Sequence, residues 1–278
     1  MKTIGEIIRA SSAFLESKKI DRPRRLSEEL IAHALGLKRI DLYLQFDRPV
    51  VENELEKMRP WIKRLSEGEP LEYIIGEVEF FGCNMKVDQR VLIPRPETEI
   101  LVDYIAKQFG NPASVWDVCT GSGCIGIALK KRFPGVAVSL SDQSPDALAV
   151  AKANAALNAV QVEFLQGDLL DPFKGRKSDM VVVNPPYIPV NEYFSLDPSV
   201  RKFEPKIALV GGERGTEFFE RLEKTLPLCL NTGARVFLEI GSTQGDAVQR
   251  IFSSSIWSKR EKLADWSGKD RFFFLEMQ

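Results

Sequence analysis

From residue 115 onward, short apolar runs alternate with stretches long enough for helices of about 10–15 residues, and this alternation limits the fold more than any other feature. The runs lie at 115–118, 136–140, 162–165, 180–183 and 235–240. Strands that are apolar throughout must be covered on both faces. Helices inserted between them provide that cover in a mostly parallel sheet with right-handed crossovers. The chain ends on Arg271-Phe272-Phe273-Phe274-Leu275, which reads as another strand, with a further strand expected near 257–263. There is no internal repeat and no low-complexity segment.

The first part of the chain has a different texture and reads as helical. Ile4, Ile7, Ile8, Phe14 and Leu15 are placed on one helical face, interrupted by Ser11. A second helix is expected over 23–35, with Leu26, Leu30, Ile31 and Ala34 inward, Pro23 in the first turn and Gly36 as the stop. A third is expected over 52–67, with Leu55, Met58, Trp61, Ile62 and Leu65 inward, closed by Gly68 and Pro70. Residues 79–87 read as a hairpin with its turn at 82–84, and residues 92–97 lead into a helix ending near Phe109. The expected organisation is a helical domain over 1–75, a hairpin linker over 76–90 and an α/β domain over 91–278.

A chain of 278 residues with 44% hydrophobic residues can bury a real core. Its 38 Lys+Arg against 39 Asp+Glu leave no basic excess, so neither nucleic acid nor membrane is an expected partner. Cys83, Cys119, Cys124 and Cys229 form no C-x-x-C pair and there is one histidine, His33, so no metal is expected and the thiols should be free. Met1-Lys2-Thr3-Ile4 opens without a long apolar run, and no run approaches the ~20 residues of a membrane span. The expectation is a cytoplasmic monomer.

The first strand runs into Cys119-Thr120-Gly121-Ser122-Gly123-Cys124-Ile125-Gly126 and then a helix. Gly121, Gly123 and Gly126 satisfy G-x-G-x-x-G, and Asp142 follows at the end of the next strand, where a carboxylate can accept both hydroxyls of a ribose. Glycine lets the backbone approach a ligand and leaves the N–H groups at the helix start free to bind it. This loop suits a nicotinamide dehydrogenase and an adenosylmethionine enzyme equally well. After the third strand, Asp168 is placed to accept an adenine amino group and Leu169 to pack on the ring, unless Asp168 is simply a solvated loop carboxylate. Cys119 and Cys124 have no base beside them and read as packing thiols.

Asn184-Pro185-Pro186-Tyr187 follows the fourth strand directly. The two prolines stiffen the backbone and remove two N–H donors while keeping their carbonyls. Asn184 adds a side-chain carbonyl and Tyr187 a flat aromatic face. Two acceptors and a ring suit a planar NH2 group. Such acceptors push electron density onto an otherwise poor nucleophile and aim it for in-line displacement, and holding reacting atoms ~3–3.5 Å apart can supply roughly 7–11 kcal/mol of a barrier. The segment alone does not separate a glutamine amide from an adenine amino group.

Together these residues resemble the HemK-type family of peptide-chain-release-factor glutamine methyltransferases. The resemblance extends over Arg25 to Leu37, Pro70-Leu71-Glu72-Tyr73-Ile74-Ile75-Gly76, Phe80-Phe81-Gly82 and Leu92-Ile93-Pro94-Arg95-Pro96-Glu97-Thr98-Glu99. It implies a Rossmann-like class I S-adenosylmethionine-dependent methyltransferase domain, α/β in class, with a seven-stranded sheet whose last strand is antiparallel, preceded by a small helical domain that helps hold a protein substrate. It implies S-adenosylmethionine as cofactor, held by Cys119, Thr120, Gly121, Ser122, Gly123, Asp142, Asp168, Leu169 and Asn184. It implies class I release factors as partners, with the glutamine of their Gly-Gly-Gln loop held by Asn184, Pro185, Pro186 and Tyr187, and with Arg95 and Glu97 at the substrate. Cys119 stands where glycine is common. Arg95 to Glu99 can equally be a helix start, since Pro96, Glu97 and Glu99 suit a first turn. The rival readings are a ribosomal-protein glutamine methyltransferase, a DNA adenine-N6 methyltransferase, a dehydrogenase and a binding protein that has lost catalysis.

Overall fold

The computed structural model describes residues 2–108, 110 and 112–278. They divide into two compact units, Met1–Gly76 with Asp197–Phe203, and Glu77–Leu196 with Glu204–Gln278.

The first unit is built on helices α1 (Ile4–Ser17), α2 (Pro23–Leu35), α3 (Arg39–Leu44), α4 (Glu52–Ser66) and α5 (Leu71–Ile75). α1 opens with a capping box in which the Glu6 amide donates to the Thr3 hydroxyl and the Thr3 amide donates to the Glu6 carboxylate. Ile4, Ile8, Leu15, Leu30, Ile31, Leu42, Met58 and Leu65 form its core. Ser11 is buried in the apolar stripe because its hydroxyl donates to the Ile7 carbonyl at 2.7 Å. Phe14 departs from the expected face and is 41% exposed. At 3.6 residues per turn it lies about 20° beyond Ile7, at the outer margin of the buried stripe that runs from Ile7 to Ile8. α3 and α5 were not legible in the sequence, being too short for a helical period to repeat. Gly36 ends α2 in the left-handed region, at φ +64°.

The second unit opens with β1 (Glu77–Phe80) and β2 (Cys83–Lys86), an antiparallel hairpin. Its turn is Phe81-Gly82 rather than 82–84. Both residues have positive φ, 47° and 70°, as a two-residue hairpin turn requires, so Cys83 and Asn84 pair in β2. Then come α6 (Pro96–Gln108), β3 (Ser114–Val118), α7 (Cys124–Arg132), β4 (Ala137–Asp142), α8 (Pro145–Leu157), β5 (Glu163–Gln166), β6 (Ser178–Val183) and β7 (Ile188–Pro189). The expected end of α6 near Phe109 lies outside the described residues. A short helix, α9 (Pro198–Phe203), belongs to the first unit. β8 (Val210–Gly212), α10 (Glu217–Cys229), β9 (Leu230–Glu239), α11 (Gly245–Ile251), β10 (Trp257–Ala264) and β11 (Asp270–Met277) complete the chain.

Seven strands form one sheet in the order β10-β11-β9-β6-β3-β4-β5. β5, β4, β3, β6 and β9 are mutually parallel, and β11 runs antiparallel to both its neighbours. Alternate residues of each strand feed opposite faces. Val115, Leu140, Met180, Val182 and Phe237 join one core cluster, and Trp116, Val118, Val181, Val183 and Leu238 the other. The chain leaves β3 toward β4 and β5 and later returns to place β6 on the other side of β3. That reversal opens a crevice at the carboxyl ends of β3 and β6, the usual ligand position in such sheets.

Register carries the crevice to particular residues. Ser141, Val118, Val183 and Leu238 are cross-strand partners on β4, β3, β6 and β9. The next residue on each strand is Asp142, Cys119, Asn184 and Glu239, so these four form a row along one sheet edge.

Candidate active site

Cys119, Thr120, Gly121, Ser122, Asp142, Asp168, Leu169, Asn184, Pro186 and Arg95 all wall one cavity at this edge, together with Thr98. Segments far apart in sequence, after β3, β4, β5 and β6 and before α6, are brought to one place. Pro185, Tyr187, Glu97 and Gly123 are not part of that wall. Pro185 is buried, Glu97 sits in the first turn of α6, and Tyr187 lines a neighbouring hollow with Gln244 and Arg271.

The loop after β3 is built by backbone bonds. The Thr120 amide donates to the Ser141 carbonyl at 2.9 Å and the Gly123 amide to the Thr120 carbonyl at 2.8 Å. Gly121 has φ +54°, and a Cβ there would meet open space, so its backbone is open to a ligand. Gly126 serves packing instead, because a Cβ there would lie 2.8 Å from Leu140 and 3.0 Å from Asp117 Oδ2. Cys119 adopts φ +60°, the conformation that accounts for glycine being common at such a position. Burial, then the charges of Asp142, Asp117 and Asp168, raise its thiol, and burial raises that of Cys124, so both stay protonated packing groups.

Asp142 accepts from the Gly121 amide at 2.9 Å on one oxygen and from the Ser144 amide at 2.9 Å on the other. Each oxygen keeps a lone pair for a hydroxyl donor. Burial outweighs these backbone bonds and raises the carboxyl from its usual range. Asp168 is half-exposed and is paired with Arg221 at 2.5 Å, while Leu169 beside it is buried. An open backbone at Gly121, a carboxylate with free lone pairs and an apolar side chain fit an adenosine-bearing ligand.

After β6, Asn184 is half-buried and Pro186 is buried at the cavity, and Pro185 is buried outside its wall. Asn184 stands beside Glu239, one residue beyond the pair Val183↔Leu238, and its side chain lowers the Glu239 carboxyl. The Tyr187 carbonyl accepts from Gln244 Nε2 at 2.8 Å, and the same amide donates to the Gly215 carbonyl at 3.1 Å. Burial, with Glu239 nearby, pushes the Tyr187 phenol up to about 12, so it is a neutral hydroxyl. Arg95 is paired with Glu204 at 2.5 Å, and Glu204 also accepts from the Ile93 amide at 3.2 Å. Residues 92–99 are therefore both a helix start, at Pro96, and part of the cavity wall, through Arg95 and Thr98.

The chain is 41% identical to a release factor glutamine methyltransferase from Chlamydia trachomatis serovar L2, over 98% of this chain and 94% of that one. It belongs to the release factor glutamine methyltransferase family. The family member from Bacillus subtilis strain 168 is 38% identical over 98% of this chain and 96% of its own. The family model of the PrmC N-terminal domain matches residues 6–76 and that of the methyltransferase small domain matches 96–193. A methyltransferase from Pyrococcus furiosus shares the fold at a TM-score of 0.54 with 15% identity, over 81% of this chain and 98% of that chain.

Three groups escaped the sequence reading of this family member. Asp117 is fully buried, and its Oδ2 accepts from the Thr120 hydroxyl at 2.5 Å and the Gly126 amide at 2.8 Å. Desolvation raises it to about 7 despite those bonds. Asn154 on α8 is also fully buried. It donates to the Ser122 carbonyl at 2.9 Å and the Lys86 carbonyl at 3.0 Å, and accepts from the Lys86 amide at 2.7 Å. Glu239 is the third. A carboxylate within or ending an apolar strand was the available signal for Asp117 and Glu239. Asn154 gave none. Among the described residues no His/Cys/Asp/Glu group is arranged to hold a metal ion, and no helix is long and apolar enough to cross a membrane.

Proposed function

We infer that this chain transfers a methyl group from S-adenosylmethionine to the side-chain amide nitrogen of the glutamine in the Gly-Gly-Gln motif of class I peptide chain release factors. The observation that carries this reading is one cavity walled by the glycine loop and Asp142 together with Asn184 and Pro186. Relatives of that name aligned over nearly the whole chain favour release-factor glutamine over ribosomal-protein glutamine, DNA adenine or a nicotinamide substrate.

When bound, S-adenosylmethionine supplies an electrophilic methyl group on a sulfonium. Asp142 would take ribose hydroxyls on its free lone pairs, Leu169 would pack against the adenine, and Asp168 would accept from the adenine amino group. Asn184 Oδ1 and a proline carbonyl of the same segment accept the two amide hydrogens of the glutamine. This orients the nitrogen and enriches it in electron density before attack. No histidine is in the wall, and an amide nitrogen needs no prior deprotonation, because its acidity rises once the methyl has arrived. The Asn-Pro-Pro-Tyr backbone is rigid through its prolines, which maintains this aim. The helical unit, 1–75 in the sequence division, helps hold the release factor, residues 76–90 form the link, and 91–278 carry the chemistry.

The test is incubation with labelled S-adenosylmethionine and, separately, a purified release factor, a ribosomal-protein mixture and duplex DNA. Label is expected on the release-factor glutamine. Label on the DNA or on a ribosomal protein, with none on the factor, overturns the reading. Asn184→Ala should abolish transfer while sparing cofactor binding. A loss of cofactor binding as large as that of Gly121→Asp would show Asn184 misassigned.

A further inference from the structure

Glu239 ends β9 at the sheet edge, one residue beyond the pair Val183↔Leu238, and so stands beside Asn184. It is 2% exposed. Its Oε2 accepts from the Thr98 hydroxyl at 2.7 Å, and the Asn184 side chain beside it favours the charged carboxylate, as a donor does. A carboxylate can only accept, so the Asn184 group that meets it is the NH2. The amide is planar with its oxygen and nitrogen at opposite corners, so holding the NH2 against Glu239 fixes where Oδ1 points.

We propose that Glu239 is a positioning residue for methyl transfer: its carboxylate holds the Asn184 amide in the one flip that presents Oδ1, rather than NH2, to the acceptor nitrogen. The proposal rests on the reading of Asn184 as holder of the glutamine amide. In the opposite flip Asn184 would present a donor to an NH2 that itself only donates, and the aim would be lost. Thr98 buttresses the arrangement from α6, which gives residues 92–99 a part in the chemistry beyond starting a helix.

The device has a pH signature. The groups facing Glu239 are Thr98 and Glu97 on α6, Cys124 on α7, Asn184 and Tyr187 after β6, and Arg271 on β11. Burial, the largest influence, and the Glu97 charge raise its carboxyl, while Thr98, Arg271 and Asn184 oppose, leaving it at about 7. Once protonated, Glu239 carries an O–H that can donate to Asn184 Oδ1 and stabilise the wrong flip. Transfer should therefore fall as pH drops through this value.

The experiment is single-turnover methylation of a release factor across pH, with S-adenosylhomocysteine affinity measured alongside. Wild type should show an acid limb. Glu239→Gln, whose amide imitates the protonated acid, should lose roughly 10–100-fold in rate, on the scale of a misaligned acceptor. It should show no acid limb, with S-adenosylhomocysteine affinity unchanged. Thr98→Val removes a bond that favours the charged form, so its limb should move up by roughly one pH unit, keeping the test decisive if the glutamine variant fails to fold. A Glu239→Gln enzyme with wild-type rate, or a Thr98→Val enzyme with an unmoved limb, overturns the proposal. An active Asn184→Ala enzyme would instead overturn the assignment of Asn184 on which it rests.

Discussion

Gly211 offers a direct measure of how finely the Asn-Pro-Pro-Tyr segment must be placed. It sits in the middle of β8, whose pairing with β7 runs through Ile188↔Val210 and Pro189↔Gly212. A Cβ on Gly211 would lie 2.4 Å from the Pro186 carbonyl oxygen and 2.9 Å from both Pro186 C and Tyr187 Cα. Close carbon–oxygen contacts settle near 3.3 Å, so Gly211→Ala demands a displacement of about 0.9 Å. No flexible side chain can absorb it, because every clashing atom is backbone and the two prolines fix their own φ. A misplacement of about 1 Å at a reacting centre can cost on the order of 100-fold, or roughly 2.7 kcal/mol of barrier. The assay is the single-turnover rate with saturating S-adenosylmethionine, with cofactor affinity from calorimetry and a thermal melt to establish folding. Affinity should hold, because Gly121 and Asp142 follow β3 and β4 rather than β6. A folded Gly211→Ala enzyme at wild-type rate would refute the view that this backbone is the aiming element. Rate and cofactor affinity falling together would place the damage elsewhere.

Asn154→Ala should destabilise the fold by about 2–3 kcal/mol, since it strands backbone groups of Lys86 and Ser122 that Asn154 satisfies, and a lowered urea midpoint with unchanged slope would record it. Asp117 is raised from 3.8 to about 7, chiefly by burial, so the native state holds its proton where the unfolded chain has lost it. The stability it contributes is full below about pH 4 and drains away as pH rises through about 7. Asp117→Asn should flatten the decline of melting temperature across that window, and an unchanged slope would assign the decline elsewhere.

Much of the second unit was legible because its central strands are apolar on both faces, a pattern that few other arrangements satisfy. The glycine loop, Asp142 and Asn184 were legible too, since each follows such a strand and the ligand edge of a parallel sheet is the edge where strands end. The hairpin turn was misplaced because its left-handed residues include Phe81, which carries no turn signal of its own. Phe14 lies at the margin of the buried face, only about 20° beyond Ile7, so helical spacing alone does not separate it from the core. Tyr187 belongs to a motif whose four residues do not face one way. Asn184 and Pro186 line the cavity, while the Tyr187 ring turns toward the β9 and β11 side.

The sequence by itself determined the alternation of central strands and covering helices, the loop that approaches a ligand and the stiff acceptor segment, because each depends on local chemistry: backbone freedom at glycine, its absence at proline, apolar runs that must be covered. Only the tertiary structure decided which polar groups meet. Thr98 and Glu239 are 141 residues apart and share a 2.7 Å hydrogen bond, and Asn184 joins them because β6 and β9 are neighbours in register. Strand order across a sheet follows from how whole layers pack, and no stretch of chain carries that information alone.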